Sequence, residues 1–265
     1  MPANPERRRF TGDPAAPAQS SPGRSSACSS PASGCSPSAM SDAAGGKILL
    51  AWSGGKDSAL ALYEIRKTGR YGIAALLTTV TEGYDRISMH GVRRVLLERQ
   101  AESAGLPLET VFIQRNSSNE DYESRMRAAL EKHRAQGVTG VAFGDIFLED
   151  VRKYREDNLA RAGMRGVFPL WKRDTAALAR AFIRLGFKAI VTCADTKFLG
   201  GEFAGRLLDE RFLADLPGGV DPCGENGEYH SFVFGGPVFS REIPFIRGET
   251  VLRENRFRYC DLILA

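Results

Sequence analysis

Six consecutive residues, Ser53-Gly54-Gly55-Lys56-Asp57-Ser58, place two hydroxyls, a cation, a carboxylate and two glycines in a single short stretch. Paired glycines let the backbone close on a bulky anion, and the first N–H groups of a following helix point at it without internal partners. The Ser53 and Ser58 hydroxyls and the Lys56 ammonium complete a phosphate site. Asp57 is a carboxylate within that site and would repel phosphate unless Mg²⁺ bridges the two, so Mg²⁺ dependence with Asp57 as a metal ligand is expected. The order is not that of a Walker A loop, in which Ser or Thr follows the lysine. A plain strand-turn-helix corner needs one glycine and a cap, and does not call for the whole set.

A second chemical stretch is Asp221-Pro222-Cys223-Gly224-Glu225-Asn226-Gly227-Glu228-Tyr229-His230. Turn formation accounts for Pro222, Gly224, Asn226 and Gly227. It does not account for Glu225, Glu228 and His230 at the mouth of a strand. Carboxylates on a turn beside an imidazole accept protons from an attacking amine, hold a cationic group or ligate Mg²⁺. On the residues alone, an ordinary polar turn is an equal alternative.

The elements around these stretches alternate strand and helix from Lys47 onward, the pattern of a parallel sheet with crossover helices. Strands are expected at 47–53, 73–80, 108–113, 138–143 and 188–194, with helices at about 57–68, 92–104, 119–133, 150–162 and 174–185. Ser118 with Asp121, and Asp174, are read as helix caps. The fold class is α/β: a Rossmann-like, doubly wound, five-stranded parallel sheet in the order three-two-one-four-five. Ligands of such sheets sit beyond the strand carboxyl ends where the order reverses, between strands one and four. The Ser53–Ser58 loop and Asp145 both fall there. Beyond Asp195 a smaller α+β region is expected, with a helix at 203–213 and short strands at 229–234, 238–242 and 257–264. The domains are therefore drawn as 1–46, 47–195 and 196–265.

Residues 1–46 contain no Leu, Ile or Val and are dominated by Pro, Ala, Ser and Gly, so they cannot offset their ordering entropy and are read as a disordered tail. Arg7 to Arg9 suit a targeting peptide; a dispensable tail with Met40 as the true start is preferred. The remaining apolar runs are strand-sized, which excludes a membrane span, and a cytoplasmic setting is expected. A net charge of +4, from 36 basic and 32 acidic residues, gives no basic tract, so that charge neither indicates nor excludes nucleic-acid binding, though it speaks against a tRNA-modifying enzyme. None of the five cysteines forms a Cys-x-x-Cys pair, which argues against structural zinc and sulfur transfer. Cys193 is read as a small buried residue and His133, at the end of an apolar helical stripe, as structural.

The loop resembles that of the pyrophosphatase-type ATP-binding enzymes, the PP-loop group with a HUP-type fold. Together with Gly144-Asp145-Ile146, a Tyr154-Arg155 helix leading to Pro169-Leu170-Trp171, and Gly224-Glu225-Asn226-Gly227-Glu228-Tyr229-His230, it occurs in the order found in the diphthine-ammonia ligase family. The resemblance runs from about Lys47 to the C-terminal region. It implies a nucleotide-binding α/β domain followed by a smaller domain carrying the glutamate motif. It further implies that ATP activates a carboxylate as an acyl-adenylate, which ammonia attacks with release of AMP and pyrophosphate. In eukaryotic and archaeal members the carboxylate belongs to diphthine, a modified histidine on an elongation factor; members outside that setting need not share it.

On this reading Ser53, Gly54, Gly55, Lys56, Asp57 and Ser58 hold the β and γ phosphates. Asp145 helps to hold the metal or a substrate group, or caps the next helix. Glu225, Glu228 and His230 face the α phosphate or the acceptor. His90 is a candidate for the adenine or ribose, and Arg155 a lesser one. The expected partners are ATP, Mg²⁺, ammonia and a small-molecule or protein-borne carboxylate; a homodimer is compatible with all of this. Two rivals are a tRNA-modifying enzyme, which would bind tRNA in a salt-sensitive way, and a nucleotide sensor, which would have no use for Glu225, Glu228 and His230.

Overall fold

The computed structural model describes residues 45–83, 86–87, 91–114 and 117–265. The tail at 1–44 and the candidate His90 lie outside the described residues; Gly45 and Gly46, assigned above to the tail, instead begin the first strand. That strand, β1 (Gly45–Ala51), holds Ile48, Leu49 and Leu50 with no exposed surface, as a central strand covered on both faces must be. It pairs in parallel with β2 (Tyr71–Thr81) on one side and β5 (Val138–Ala142) on the other. β4 (Leu108–Ile113) extends the sheet in parallel beyond β2, and the two-residue β3 (Arg86–Ile87) pairs antiparallel with the end of β2.

The fifth parallel strand is not the one expected. Its place beside β5 is taken by the short β6 (Arg165–Val167), while β7 (Lys188–Asp195) joins a separate four-stranded antiparallel sheet. The sheet order is β8-β7-β10-β9, with β8 at Tyr229–Gly235, β9 at Phe245–Arg253 and β10 at Phe257–Leu264. β7 misleads because the centre of any two-face-covered sheet reads as one apolar run, and residues 189–195 are all buried. No strand occupies 238–242; the next strand is β9, whose exposed edge position leaves no alternating pattern to read.

Helices α1 (Lys56–Thr68) and α2 (Arg94–Ala104) cover one face of the parallel sheet; α3 (Asn119–Ala135) and α4 (Glu149–Arg161) cover the other. The second sheet and α5 (Thr175–Arg184) share one apolar core with α1 and α2, built on Leu60, Leu62, Leu96, Leu97, Phe182 and Phe232. The expected caps form: Ser118 Oγ accepts the Asp121 N–H at 3.1 Å, and Asp174 Oδ1 accepts that of Ala177 at 2.6 Å. The helix expected at 203–213 is broken. A single 3₁₀ turn (Gly201–Phe203) and the short α6 (Glu210–Ala214) flank Gly205, whose φ of +87° belongs to no right-handed helix. Among the described residues no helix is long and apolar enough to cross a membrane.

Candidate active site

The phosphate loop leaves β1 at Ala51 and enters α1 at Lys56. Gly54 takes a φ of +76°, and a Cβ there would stand 2.8 Å from Gln100 Oε1, so both conformation and space require glycine. Inside the turn, Ser53 Oγ accepts the Gly55 N–H at 3.2 Å and lies 3.3 Å from Ser58 Oγ, while Ser58 Oγ donates to the Gly55 carbonyl at 2.9 Å. Gly144, after β5, packs directly under the loop: a Cβ on it would lie 2.7 Å from the Asp57 carbonyl carbon. The two sides of the predicted switch point are therefore in backbone contact.

The C-terminal unit closes the loop from the other side. β8 runs along α1, so that Ser231 Oγ accepts the Lys56 N–H at 3.2 Å and Val233 N–H donates to the Gly54 carbonyl at 2.9 Å. Loop, Asp145 and the Gly224–His230 motif thereby share one cavity of about 310 Å³, lined also by Thr78, Tyr122, Met126, Phe143, Tyr154, Arg155 and Asn158.

The predicted residues take distinct positions around it. Lys56 is 3% exposed and donates to Asp57 Oδ2 at 2.8 Å, with the Tyr229 ring centroid 5.3 Å from its Nζ. Burial works against its charge, but Asp57, with Tyr229 and Cys223 adding to it, outweighs burial and keeps the ammonium well above the ordinary lysine range. For Asp57 the balance goes the other way, and burial outweighs Lys56 and pushes the carboxyl up. Asp57 Oδ1 is buried and receives no hydrogen bond.

Glu225 lines the cavity and accepts the Ile146 N–H at 2.8 Å, linking its motif to the loop after β5. Burial, followed by the neighbouring Asp57 charge, pushes its carboxyl up to about 8 against the pull of that N–H. Asp221 Oδ2 accepts the Glu225 and Cys223 N–H groups and so sets the turn. Glu228 faces inward instead. It is 2% exposed, does not line the cavity, and accepts the Asp221 and Asn226 N–H groups and the Asn226 side-chain amide. In this structure it braces the turn that carries Glu225. His230 lines the cavity beside Ser231.

Asp145 does not cap α4, whose N-cap is Leu148; it forms a two-pronged ion pair with Arg155, at 2.6 and 3.2 Å. The Arg155 guanidinium also lies 4.3 Å from the Phe143 ring centroid, which holds it at the cavity wall. Cys193 is buried, with its thiol pushed up to about 12 by burial, and His133 is buried against Glu109 at 3.2 Å. Neither lines the cavity.

Gln100 escaped the sequence reading. It has no exposed surface, accepts from Trp52 Nε1 at 2.9 Å, and donates to the carbonyls of Gly54 at 3.0 Å and Val233 at 2.6 Å. The signal was present: Gln100 falls on the Leu96-Leu97-Gln100-Ala101-Ala104 stripe that the helix buries.

Two family models match consecutive parts of the chain. Residues 46–166 match the diphthamide synthase N-terminal domain and residues 174–261 the diphthamide synthase C-terminal domain. The diphthine-ammonia ligase of Danio rerio is 30% identical over 230 residues, covering 77% of this chain and 88% of the relative. The Homo sapiens enzyme of the same name is 26% identical, covering 78% and 85%, and that of Schizosaccharomyces pombe is 26% identical, covering 77% of this chain and 37% of a longer protein. With both domain models present in order and the Danio rerio and Homo sapiens relatives aligned along most of their length, the chain belongs to the diphthine-ammonia ligase family.

Proposed function

We propose that this chain is an ATP-dependent ligase that joins ammonia to a carboxylate, with the diphthine side chain, for which its relatives are named, as the acceptor. The observation that carries this reading is the union of the phosphate loop and the glutamate motif on one cavity, through the Lys56–Ser231 and Gly54–Val233 hydrogen bonds. A loop that only sensed nucleotide would not need Glu225 there. The ligase names of the relatives likewise favour an amidating enzyme over a tRNA-modifying one or a sensor.

In the reaction, ATP lies with its β and γ phosphates against the loop of residues 53–58. The acceptor carboxylate oxygen attacks the α phosphorus, the bond to the β-phosphate oxygen breaks, and pyrophosphate leaves. Lys56, held protonated, offsets the charge on the departing group. Ammonia then attacks the acyl carbon, AMP leaves, and the amide forms. Glu225, with a proton affinity near neutral pH, takes the proton that the attacking nitrogen must lose. His230 and Arg155 line the space left for the acceptor.

Among the described residues no three His, Cys, Asp or Glu side chains gather into a metal cage. Mg²⁺ needs only one or two carboxylates when phosphates and water supply the rest. Asp57, whose buried Oδ1 receives no hydrogen bond, fits that requirement and would hold the ion against the phosphates. The ion would neutralise charge on the pyrophosphate. A cytoplasmic setting belongs to the same proposal: it follows if the acceptor is carried on a translation elongation factor, as the family resemblance implies.

The test is ATP–pyrophosphate exchange and AMP release with a diphthine-bearing acceptor and ammonia. Wild-type protein should form AMP in an acceptor-dependent way, and Lys56→Ala should lower the rate by two orders of magnitude or more. Acceptor-independent ATP hydrolysis to ADP, or equal rates for the two proteins, would sink the proposal.

A further inference from the structure

We infer that Gln100 is a positioning residue for the phosphate loop, and that through it the strand carrying His230 is held in register with bound ATP. The inference rests on the loop's role as the ATP site and adds a residue outside that loop. Gln100 is on α2, and it touches neither the phosphates' expected position nor the cavity.

Three observations carry it. First, every polar atom of the Gln100 amide is engaged in a fully buried site: Oε1 accepts from Trp52 Nε1, and Nε2 donates to two carbonyls, one from each functional unit. A buried amide satisfied on three sides has one orientation, because turning it over would set oxygen against the two carbonyls. Second, the Gly54 carbonyl accepts both from Gln100 and from the Val233 N–H. This fixes the peptide plane between Gly54 and Gly55, and with it the direction of the Gly55 N–H, whose bond to Ser53 Oγ sets the hydroxyl at the turn of the loop. Third, Gly54 can occupy its place only because it lacks a Cβ that would run into Gln100 and Leu97, so loop and side chain fit as a pair. β8 is tied to the same amide two residues from Ser231 and three from His230. Binding that demands one loop geometry thus demands one setting of β8.

The neighbour Ser103 separates this role from general packing. It is also buried on α2 and also joins the C-terminal unit, by two hydrogen bonds to the backbone of Arg241, yet it makes no contact with the loop. The experiment measures binding of a non-hydrolysable ATP analogue by calorimetry, without acceptor, to wild-type, Gln100→Leu, Gln100→Glu and Ser103→Ala proteins, with thermal unfolding recorded for each. Gln100→Leu strands the Gly54 and Val233 carbonyls and the Trp52 N–H, and its dissociation constant should rise roughly tenfold or more. Ser103→Ala should lose stability while binding the analogue as wild type does. Gln100→Glu should bind weakly at pH 8 and recover as pH falls, since the neutral acid can again donate to one carbonyl while the carboxylate repels both.

If Gln100→Leu does not fold, the pH-dependent recovery of Gln100→Glu decides alone. Wild-type affinity in either variant at pH 8, or an equal loss in Ser103→Ala, would overturn the inference. Failure of wild-type protein to bind the analogue would instead remove the proposed ATP site itself, a separate outcome.

Discussion

Raising the pH should weaken the ligand-free fold, and most of the effect should disappear on replacing Glu225 by Gln. Burial and the Asp57 charge lift the Glu225 carboxyl from 4.5 to about 8 in the folded chain. A group whose proton affinity is raised on folding contributes stability that is complete below its unfolded value and is lost as pH climbs through its folded value. The window is therefore about pH 4.5 to 8. Between pH 5.5 and 8.5 this single carboxyl accounts for at most about 3 kcal/mol, taking about 1.4 kcal/mol per tenfold of proton affinity. Urea titrations of wild-type and Glu225→Gln proteins at several pH values measure it directly. The wild type should become less stable toward pH 8.5, and the variant should lose most of that slope, keeping only the share contributed by Asp57, which burial shifts the same way. The kinetic counterpart is an amidation rate that rises toward pH 8 in wild type. Parallel stability slopes for the two proteins would refute the assignment of Glu225 as a near-neutral base.

Gly144→Ala places a methyl 2.7 Å from the Asp57 carbonyl carbon and 2.8 Å from its oxygen, although Gly144 itself needs no left-handed backbone. The first turn of α1 must shift, so stability should fall by about 1–3 kcal/mol and the KM for ATP should rise; unchanged values for both would refute the backbone contact. Arg256→Ala strips the partner from Asp195, which is 2% exposed and takes three hydrogen bonds from that guanidinium. A drop of about 3–5 kcal/mol in denaturant unfolding is expected, most of it from the stranded carboxylate.

What could be read from the sequence was what is written locally. β1, the loop and the start of α1 lie within a few residues of one another, and their chemistry does not depend on distant packing. Pairing partners do. β6 has only three residues, too few for any periodicity, and β7 is apolar for the same reason in either sheet, so the sequence offered no ground to choose between them. Glu225 and Glu228 are equivalent on paper; which one faces the cavity is decided by Asp221 and Asn226, whose N–H groups draw Glu228 inward. Asp145 likewise looked like a cap or a metal ligand, and only the arrival of Arg155 from nearly two turns into α4 shows it in an ion pair. Gln100 stood on a legible stripe, but its meaning needed the Gly54 and Val233 carbonyls beside it.

The Lys56–Ser231 hydrogen bond spans 175 positions of sequence. At a synthesis rate of about 5–20 residues per second, a nascent chain waits roughly 10–35 s between making the loop and making the strand that finishes it. During that interval the Lys56 N–H lacks Ser231, and the Gly54 carbonyl, which Gln100 can already reach, lacks Val233. ATP binding by this enzyme is thus a property acquired late in synthesis, and a chain cut just before β8 should fail to engage its first substrate, having lost both Ser231 and the part of the shared core that β8 supplies.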